Sequence, residues 1–352
     1  MKKKLENRKN NKSIIVSTLI FVITFIAMAG YLIYFNLTQA ESIINNSYNK
    51  RQGVLSRRTI RGSILSDDKT KLAVTNVDDD GNETRYYPYS GLFSHTIGYL
   101  NNGGYGLESL YGYYMLHSNQ NFFEQIGNDL SGNRNTGDNV VTTLNVGLQK
   151  ACYDALGSNR GAVIVMEPST GKILAMVSKP DFDPNTLAAN WSQITGEGSD
   201  SVLVNRATQG LYPPGSTFKL ITMLEYLREH KNDYGQYHYI CDGTYELGNN
   251  TINCVRTTAH GDVDLFSSLA VSCNCSFINI GLSLDLDRYK KTAEKMLFNK
   301  ELPTNLEYNK SRFVLNGESS EWDIAQTSFG QGKTVITPVS YTHLRAHETL
   351  AN

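Results

Sequence analysis

The longest apolar run in the chain comes near its start. Residues 14–37 form an uncharged, strongly apolar stretch of 24 residues, enough to cross a bilayer as a helix. Lys2, Lys3, Lys4, Arg8, Lys9 and Lys12 precede it, and Glu41 follows soon after. Positive charge stays on the cytoplasmic side, so the pattern predicts a cytoplasmic N-terminus and an exported remainder. A cleaved signal peptide is the alternative. Its apolar core is normally about 7–15 residues and is followed by a small-residue cleavage site. The longer run here favours an uncleaved anchor.

Beyond the anchor the pattern changes several times. Residues 38–56 carry helical periodicity and few breakers, consistent with a membrane-proximal stalk. From Arg57 to about Gly137 the chain turns to Gly, Asn, Tyr and short β-prone runs, which predict an irregular mixed module. Residues 142–156 return to helical spacing, with Leu148, Cys152 and Leu156 on one apolar stripe. Gly161-Ala-Val-Ile-Val-Met166 predicts a buried strand, Glu167-Pro-Ser-Thr-Gly171 a turn, and Lys172-Ile-Leu-Ala-Met-Val177 the returning strand. A helix is predicted from Ser216, with Phe218, Leu220, Ile221, Leu224 and Leu227 supplying apolar contacts. Helices after a hairpin argue for an α+β domain, a sheet covered by helices with a site in the cleft between them.

Composition narrows the classes. The 352 residues allow two ordinary domains. With 40% hydrophobic and 19% charged residues, the chain is globular rather than disordered. A net charge of −1 gives no footprint for nucleic acid as a partner. Histidines and cysteines are scattered without Cys-x-x-Cys or His-Glu-x-x-His spacing, and Cys273-x-Cys275 has no second pair, so neither metal nor cofactor is expected. An i, i+4 pair, His343 and His347, lies on the tail and is weak on its own. Export permits a disulfide between Cys241 and Cys254, which flank a polar segment that reads as a hairpin or loop; two buried free thiols are the equal alternative. Cys152 reads as a small core residue on a helix.

Candidate chemistry starts at Tyr212-Pro213-Pro214-Gly215-Ser216-Thr217-Phe218-Lys219. Two prolines and a glycine run into a helical pattern, which is how a sequence launches a helix. Ser216 then lies at the helix start, with Lys219 one turn later on the same face. Backbone N–H groups at that end favour a developing alkoxide. A lysine held beside the serine in a poorly hydrated cleft loses proton affinity and can serve as base. This is the Ser-x-x-Lys device for acyl transfer, although a serine at a helix start is also an ordinary N-cap. A second constellation follows, where Ser272-Cys273-Asn274 interrupts the apolar run of residues 265–277. Ser and Asn favour helix ends and turns, so a plain helix terminus explains them as well. The functional alternative is a Ser272 hydroxyl relaying a proton from Lys219 and an Asn274 amide holding a substrate carbonyl.

At this point the chain resembles the class B penicillin-binding proteins, the membrane-anchored transpeptidases of cell-wall synthesis. Further matches are Arg61-Gly62-Ser63-Ile64-Leu65, Tyr87-Pro88 with His95, Gly98 and Tyr99, and Gly106-Leu107-Glu108 with Tyr111. Asn205-Arg206-Ala207 and Gly330-Gln331-Gly332 with Thr337-Pro338 continue the match. The resemblance implies a basic tail at 1–13, an anchor at 14–37, a pedestal domain at 38–140 and a penicillin-binding, β-lactamase-like transpeptidase domain at 141–338. It implies Ser216 as the acylated nucleophile, Lys219 as its base, Ser272 as the proton relay to the departing D-alanine, and Asn274 as the donor-peptide positioner. Stem peptides, β-lactams, the membrane and a cell-wall glycosyltransferase are the implied partners. Rival readings are a β-lactam-hydrolysing or sensing relative and a non-catalytic scaffold.

The pattern breaks near its end. The family carries Lys-Thr-Gly or Lys-Ser-Gly on a strand lining the cleft, where the lysine binds a carboxylate and the backbone completes the oxyanion hole. This sequence has no such triplet, and Lys333-Thr334-Val335 reads as a lead-in from loop to helix. Residues 339–352 read as a foreign tail on a truncated chain, so the chain as written is expected to be inactive.

Overall fold

A computed structural model describes residues 2–39, 56–119, 121–196 and 198–342. Most of the predicted stalk, the end of the tail and the His343/His347 pair lie outside these residues. The anchor is part of one helix, Lys2–Thr38, whose stretch Ile14–Thr38 contains an 18-residue window of mean hydropathy 2.3 with no buried positions. Thr18, Thr24, Asn36 and Thr38 each return a side-chain hydrogen bond to the carbonyl four residues back, so these four polar side chains are satisfied within the helix.

By its internal contacts the chain divides into two units: Met1–Ser63 with Leu100–Val140, and Ile64–Tyr99 with Val141–Asn352. In the first, Thr59–Ile60 pairs in parallel with Asn135–Thr136, and the short helices Gly106–Leu110 and Gly112–Leu116 follow one another. Two of the sequence motifs meet here. Arg61 Nε donates to Glu108 Oε2 at 2.9 Å and its Nη2 to the Glu108 carbonyl at 2.6 Å, with both side chains buried. Gly62 beside it is confined, because a Cβ there would lie 1.9 Å from the Asp138 carbonyl oxygen.

The second unit is α+β. Ile64–Leu65, Lys71–Val77 and Glu83–Tyr86 form an antiparallel meander. The helix Val146–Leu156 starts at Asn145, whose side chain accepts from the Leu148 N–H, and its Leu148, Cys152 and Leu156 are half-buried as the stripe predicts. Gln149 is the buried residue of this helix. Its amide donates to Leu92 and Met176 carbonyls and accepts from the Met176 N–H, each at 2.8 Å, which pins the helix to the strand Ile173–Lys179. That strand pairs antiparallel with Gly161–Met166. Gly161–Met166 was expected to be buried, and every one of its residues is only half-buried. Among the described residues this sheet has two strands, so Gly161–Met166 has a paired neighbour on one edge only.

The helical layer holds the main core. Phe218, Tyr226, Phe277, Tyr289, Phe298 and Phe313 pack together, with Phe218 edge-on to Phe298 and stacked on Phe313. Helices Lys219–Glu229, Asn274–Ser283, Leu286–Lys295 and Glu321–Ser328 surround them. Gly281 lets two of these helices touch, since a Cβ there would sit 1.7 Å from Ser328 Oγ. Of the apolar contacts expected from the Lys219–Glu229 helix, Leu220 does not contribute and is 55% exposed. The inward face is set by Lys219, Thr222, Met223, Glu225 and Tyr226, which turns Leu220 to solvent. Polar residues take part in this face because they are paired: Thr222 Oγ1 bonds the Tyr289 hydroxyl at 2.6 Å and the Ser328 carbonyl at 2.8 Å, and Glu225 accepts from Thr292.

Candidate active site

Gly215–Phe218 is a 3-10 turn that runs directly into the helix Lys219–Glu229. Gly215 adopts φ +64°, and its N–H donates to the Gly330 carbonyl at 2.8 Å. Phe218 anchors the turn in the aromatic core, which leaves Ser216 exposed and draws Lys219 to full burial. Ser216 and Lys219 therefore share a face as the sequence predicts, across a tighter turn than an α-helix.

The opposing wall is a break between two helices. Leu265–Ala270 is capped by Asp264, whose carboxylate accepts from the Ser267 N–H at 2.7 Å. Ser272 then takes φ +54°, a left-handed conformation that costs a non-glycine residue free energy. Cys273 restarts the chain as the cap of Asn274–Ser283, its sulfur accepting from the Ser276 N–H at 3.3 Å. The left-handed residue directs both its oxygens at one point. Lys219 Nζ lies 2.7 Å from the Ser272 carbonyl, 3.0 Å from its hydroxyl, 2.8 Å from Asn274 Oδ1 and 3.5 Å from Ser216 Oγ. Asn274 is held in turn, since its Nδ2 donates to the Asn253 carbonyl at 2.9 Å.

Three residues from two motifs, Ser216, Ser272 and Asn274, thus converge on the nitrogen of a fourth, Lys219. Burial lowers the Lys219 pKa to about 8, because the ammonium loses hydration there. An amine with that affinity can take a proton from Ser216 near neutral pH. Ser272 Oγ touches the same nitrogen, so a proton can move on through it.

Cys241 and Cys254 are buried, with sulfurs 3.8 Å apart and unbridged. Sequence reasoning placed no role on Asn253, which acts through its backbone carbonyl and leaves no side-chain signal. It found the Gly-Gln-Gly segment without its purpose. Gly330 has φ +80°, and a Cβ there would lie 2.0 Å from the Gly215 carbonyl oxygen. Gly330→Ala is expected to destabilise the fold by roughly 1–3 kcal/mol and to speed amide exchange across residues 213–218. Urea unfolding and exchange mass spectrometry check this, and an unchanged midpoint with unchanged exchange refutes the packing argument. Lys333 follows in a turn, and Val335 bridges to Arg312 before the helix Pro338–Thr342.

Residues 161–352 match the family described as the penicillin binding protein transpeptidase domain, and 61–140 match the penicillin binding protein A dimerisation domain. The chain belongs to the penicillin-binding protein transpeptidase family. It is a class B member: a dimerisation domain precedes the transpeptidase domain, and an apolar helix precedes both. The match runs through the segment after Pro338, where the sequence reading expected no family resemblance. The chain is 30% identical over 293 residues to the peptidoglycan D,D-transpeptidase PbpA of Mycolicibacterium smegmatis, covering 77% of this chain and 57% of that protein. To MrdA of Acinetobacter baumannii it is 28% identical, covering 73% of this chain and 44% of that protein. The chain thus spans about half the length of these curated relatives. Among solved structures, penicillin-binding protein A of M. tuberculosis as an imipenem acyl-enzyme complex superposes with a TM-score of 0.71 at 27% identity, over 80% of this chain and 69% of that one. The D,D-transpeptidase domain of an Eggerthella lenta peptidoglycan glycosyltransferase superposes with a TM-score of 0.69 at 30% identity, over 80% and 68%.

Proposed function

We propose that this protein forms peptidoglycan cross-links as a serine D,D-transpeptidase. The observation that carries the reading is the buried amine of Lys219, held by Ser272 and Asn274 within 3.5 Å of an exposed Ser216 hydroxyl. In the first half-reaction Ser216 Oγ attacks the carbonyl of a donor ending in D-Ala-D-Ala. Its proton passes to Lys219 Nζ and through Ser272 to the amine of the departing D-alanine. An acceptor amine then attacks the ester, forms the cross-link and returns the serine. Asn274 positions the donor amide. A β-lactam follows the first half alone: its ring amide opens and leaves an acyl group on Ser216. The acyl-enzyme complexes known for the M. tuberculosis relative support this reading.

The rest of the assignment follows the same line. Residues 14–37 span the membrane once, with the basic segment 1–13 inside and the catalytic unit outside. Residues 38–140 act as the membrane-proximal pedestal and 141–338 as the transpeptidase domain. The working partner is a cell-wall glycosyltransferase.

Labelled penicillin tests the assignment on the protein expressed from its native locus. A stable adduct on the Ser216 peptide, absent in Ser216→Ala, is expected. Rapid release of the label identifies a hydrolase instead. No labelling at all identifies a scaffold.

A further inference from the structure

We propose that Ser268, Ser276 and Tyr237 form a buried hydroxyl bridge that holds Ser272 in place against Lys219 Nζ. Ser272 is the left-handed residue between the helices Leu265–Ala270 and Asn274–Ser283. Its N–H donates to the Leu269 carbonyl at 3.0 Å, and the Cys273 N–H donates to the Ser268 carbonyl at 2.9 Å. These two bonds make a Schellman motif, which closes a helix with a left-handed residue that is usually glycine. Here a serine fills that position and carries the Cβ penalty that glycine escapes. Released from its neighbours, Ser272 would favour another backbone shape and withdraw its carbonyl and hydroxyl from Lys219.

The backbone bonds of the motif stop at Cys273. The helix that follows is tied back to the first by side chains. Ser268 Oγ and Ser276 Oγ lie 2.7 Å apart across the break, and both residues are fully buried. Each hydroxyl has one proton, which gives the bridge a direction. Ser268 donates to the Asp264 carbonyl at 2.6 Å, so it accepts from Ser276. Tyr237 then donates to Ser276, whose carbonyl and hydroxyl oxygens both lie 3.0 Å from the phenol oxygen. Burial raises the Tyr237 pKa, so the phenol keeps its proton and stays a donor.

The bridge joins a strand pair to both helices. Tyr237 immediately precedes the strand His238–Cys241, and Asp264 ends its partner Gly261–Asp264 and caps the helix Leu265–Ala270. Ser276 stands on the helix Asn274–Ser283. The links are shielded from water, where a hydrogen bond is stronger and a missing one costs more. A plain core contact explains the arrangement less well. Alanine at both serine positions would pack as closely without bringing hydroxyls into the interior, where polar groups are tolerated only as a satisfied set.

The place of the bridge gives it a role. Ser268 carries the carbonyl that holds the Cys273 N–H and the hydroxyl that meets Ser276, so it grips the chain beyond Ser272 at two points. Ser272 in turn presents its carbonyl and hydroxyl to Lys219 Nζ, at 2.7 and 3.0 Å. Ser268, Ser276 and Tyr237 are positioning residues, remote from the reacting atoms, and they act on acyl transfer through Ser272. That effect on rate rests on the acyl-transfer reading; the bridge itself does not.

Ser276→Ala is the deciding variant, because it breaks the bridge and strands no donor. Tyr237 keeps the carbonyl of residue 276 and Asn279 Oδ1, and Ser268 keeps the Asp264 carbonyl. Amide exchange at residues 272 and 273, in the full 352-residue chain in detergent, should accelerate roughly three- to tenfold, the span of one net hydrogen bond. Acylation of the protein from its native locus by a labelled penicillin should slow by about the same factor. Binding before acylation should stay within about twofold of the parent, as expected of a residue that acts on the chemical step alone. Ser283→Ala, which removes a hydroxyl bond within the same helix, should change none of these. Ser268→Ala combined with Ser276→Ala should slow acylation no more than the slower single variant, since both remove one bridge. Should Ser276→Ala fail to fold, Ser268→Ala breaks the bridge from the other side. Unchanged exchange at residues 272 and 273 overturns the bridge, and faster exchange with an unchanged acylation rate overturns its positioning role. A parent that is never labelled refutes acyl transfer itself, and exchange then still decides the bridge.

Discussion

Replacing Lys219 by methionine is expected to slow acylation of Ser216 by on the order of 10³-fold, the span of a lost general base. Methionine keeps the unbranched apolar stem that passes through the core beside Phe277, so the change removes the amine and little volume. It removes a buried charge while taking the donor from three acceptors, effects of opposite sign, so the unfolding midpoint should move little. That pairing separates lost chemistry from lost structure. The Ser272 carbonyl and hydroxyl and Asn274 Oδ1 lose their shared donor, so Ser272→Ala in the methionine background should add little. Stopped-flow acylation by a labelled penicillin, on the protein from its native locus, measures this directly. A rate within threefold of the parent removes Lys219 as the base.

The same residue sets a pH profile with a definite sign. The reaction needs the neutral amine, and burial brings its pKa down to about 8. Acylation should therefore rise about tenfold per pH unit below that value and level off above it. Lys219→Met should abolish this limb along with the rate. A profile flat from pH 6 to 9 in the parent would show that the lysine reaches its proton-accepting form by another route.

How far these features could be read beforehand depends on how local their cause is. Ser216 and Lys219 were legible because Pro-Pro-Gly dictates a turn and one turn dictates their shared face. The break at Ser272 was legible as a conflict between polar side chains and helical backbone. Its left-handed backbone was not, because what sustains it is the distant nitrogen of Lys219 and the packing of Cys273. Leu220 shows the limit of apolar pattern on a helix: paired polar groups at Thr222 and Glu225 took part of the inward face. Gly161–Met166 shows the limit for strands, since apolarity announces a buried strand and neighbouring elements decide how buried. The Cys241, Cys254, His260 and Cys273 cluster is wholly a product of tertiary structure. Each of the four residues sits at the end of a different element, and no short stretch of sequence contains them together.

Arg61 and Glu108 carry the last large effect. Arg61→Met is expected to destabilise the unit around it by about 3–5 kcal/mol, because it removes the cation 2.9 Å from a fully buried carboxylate. The arginine does more than balance that charge. Its second nitrogen holds the Glu108 carbonyl at 2.6 Å, so the start of the Gly106–Leu110 helix loses an anchor as well. Amide exchange over residues 100–116 should accelerate by on the order of 10²–10³-fold, the kinetic image of that free energy. Arg61→Lys should rescue only part of it, since an ammonium cannot reach the carboxylate and the carbonyl in the forked geometry of a guanidinium. Arg61→Met combined with Glu108→Leu should recover most of the stability, because an apolar pair of similar volume leaves no buried charge behind. If the double replacement is as unstable as the single one, the cost lies in lost shape rather than in the buried charge that has lost its cation. The ion pair would then be incidental to the fold of this unit.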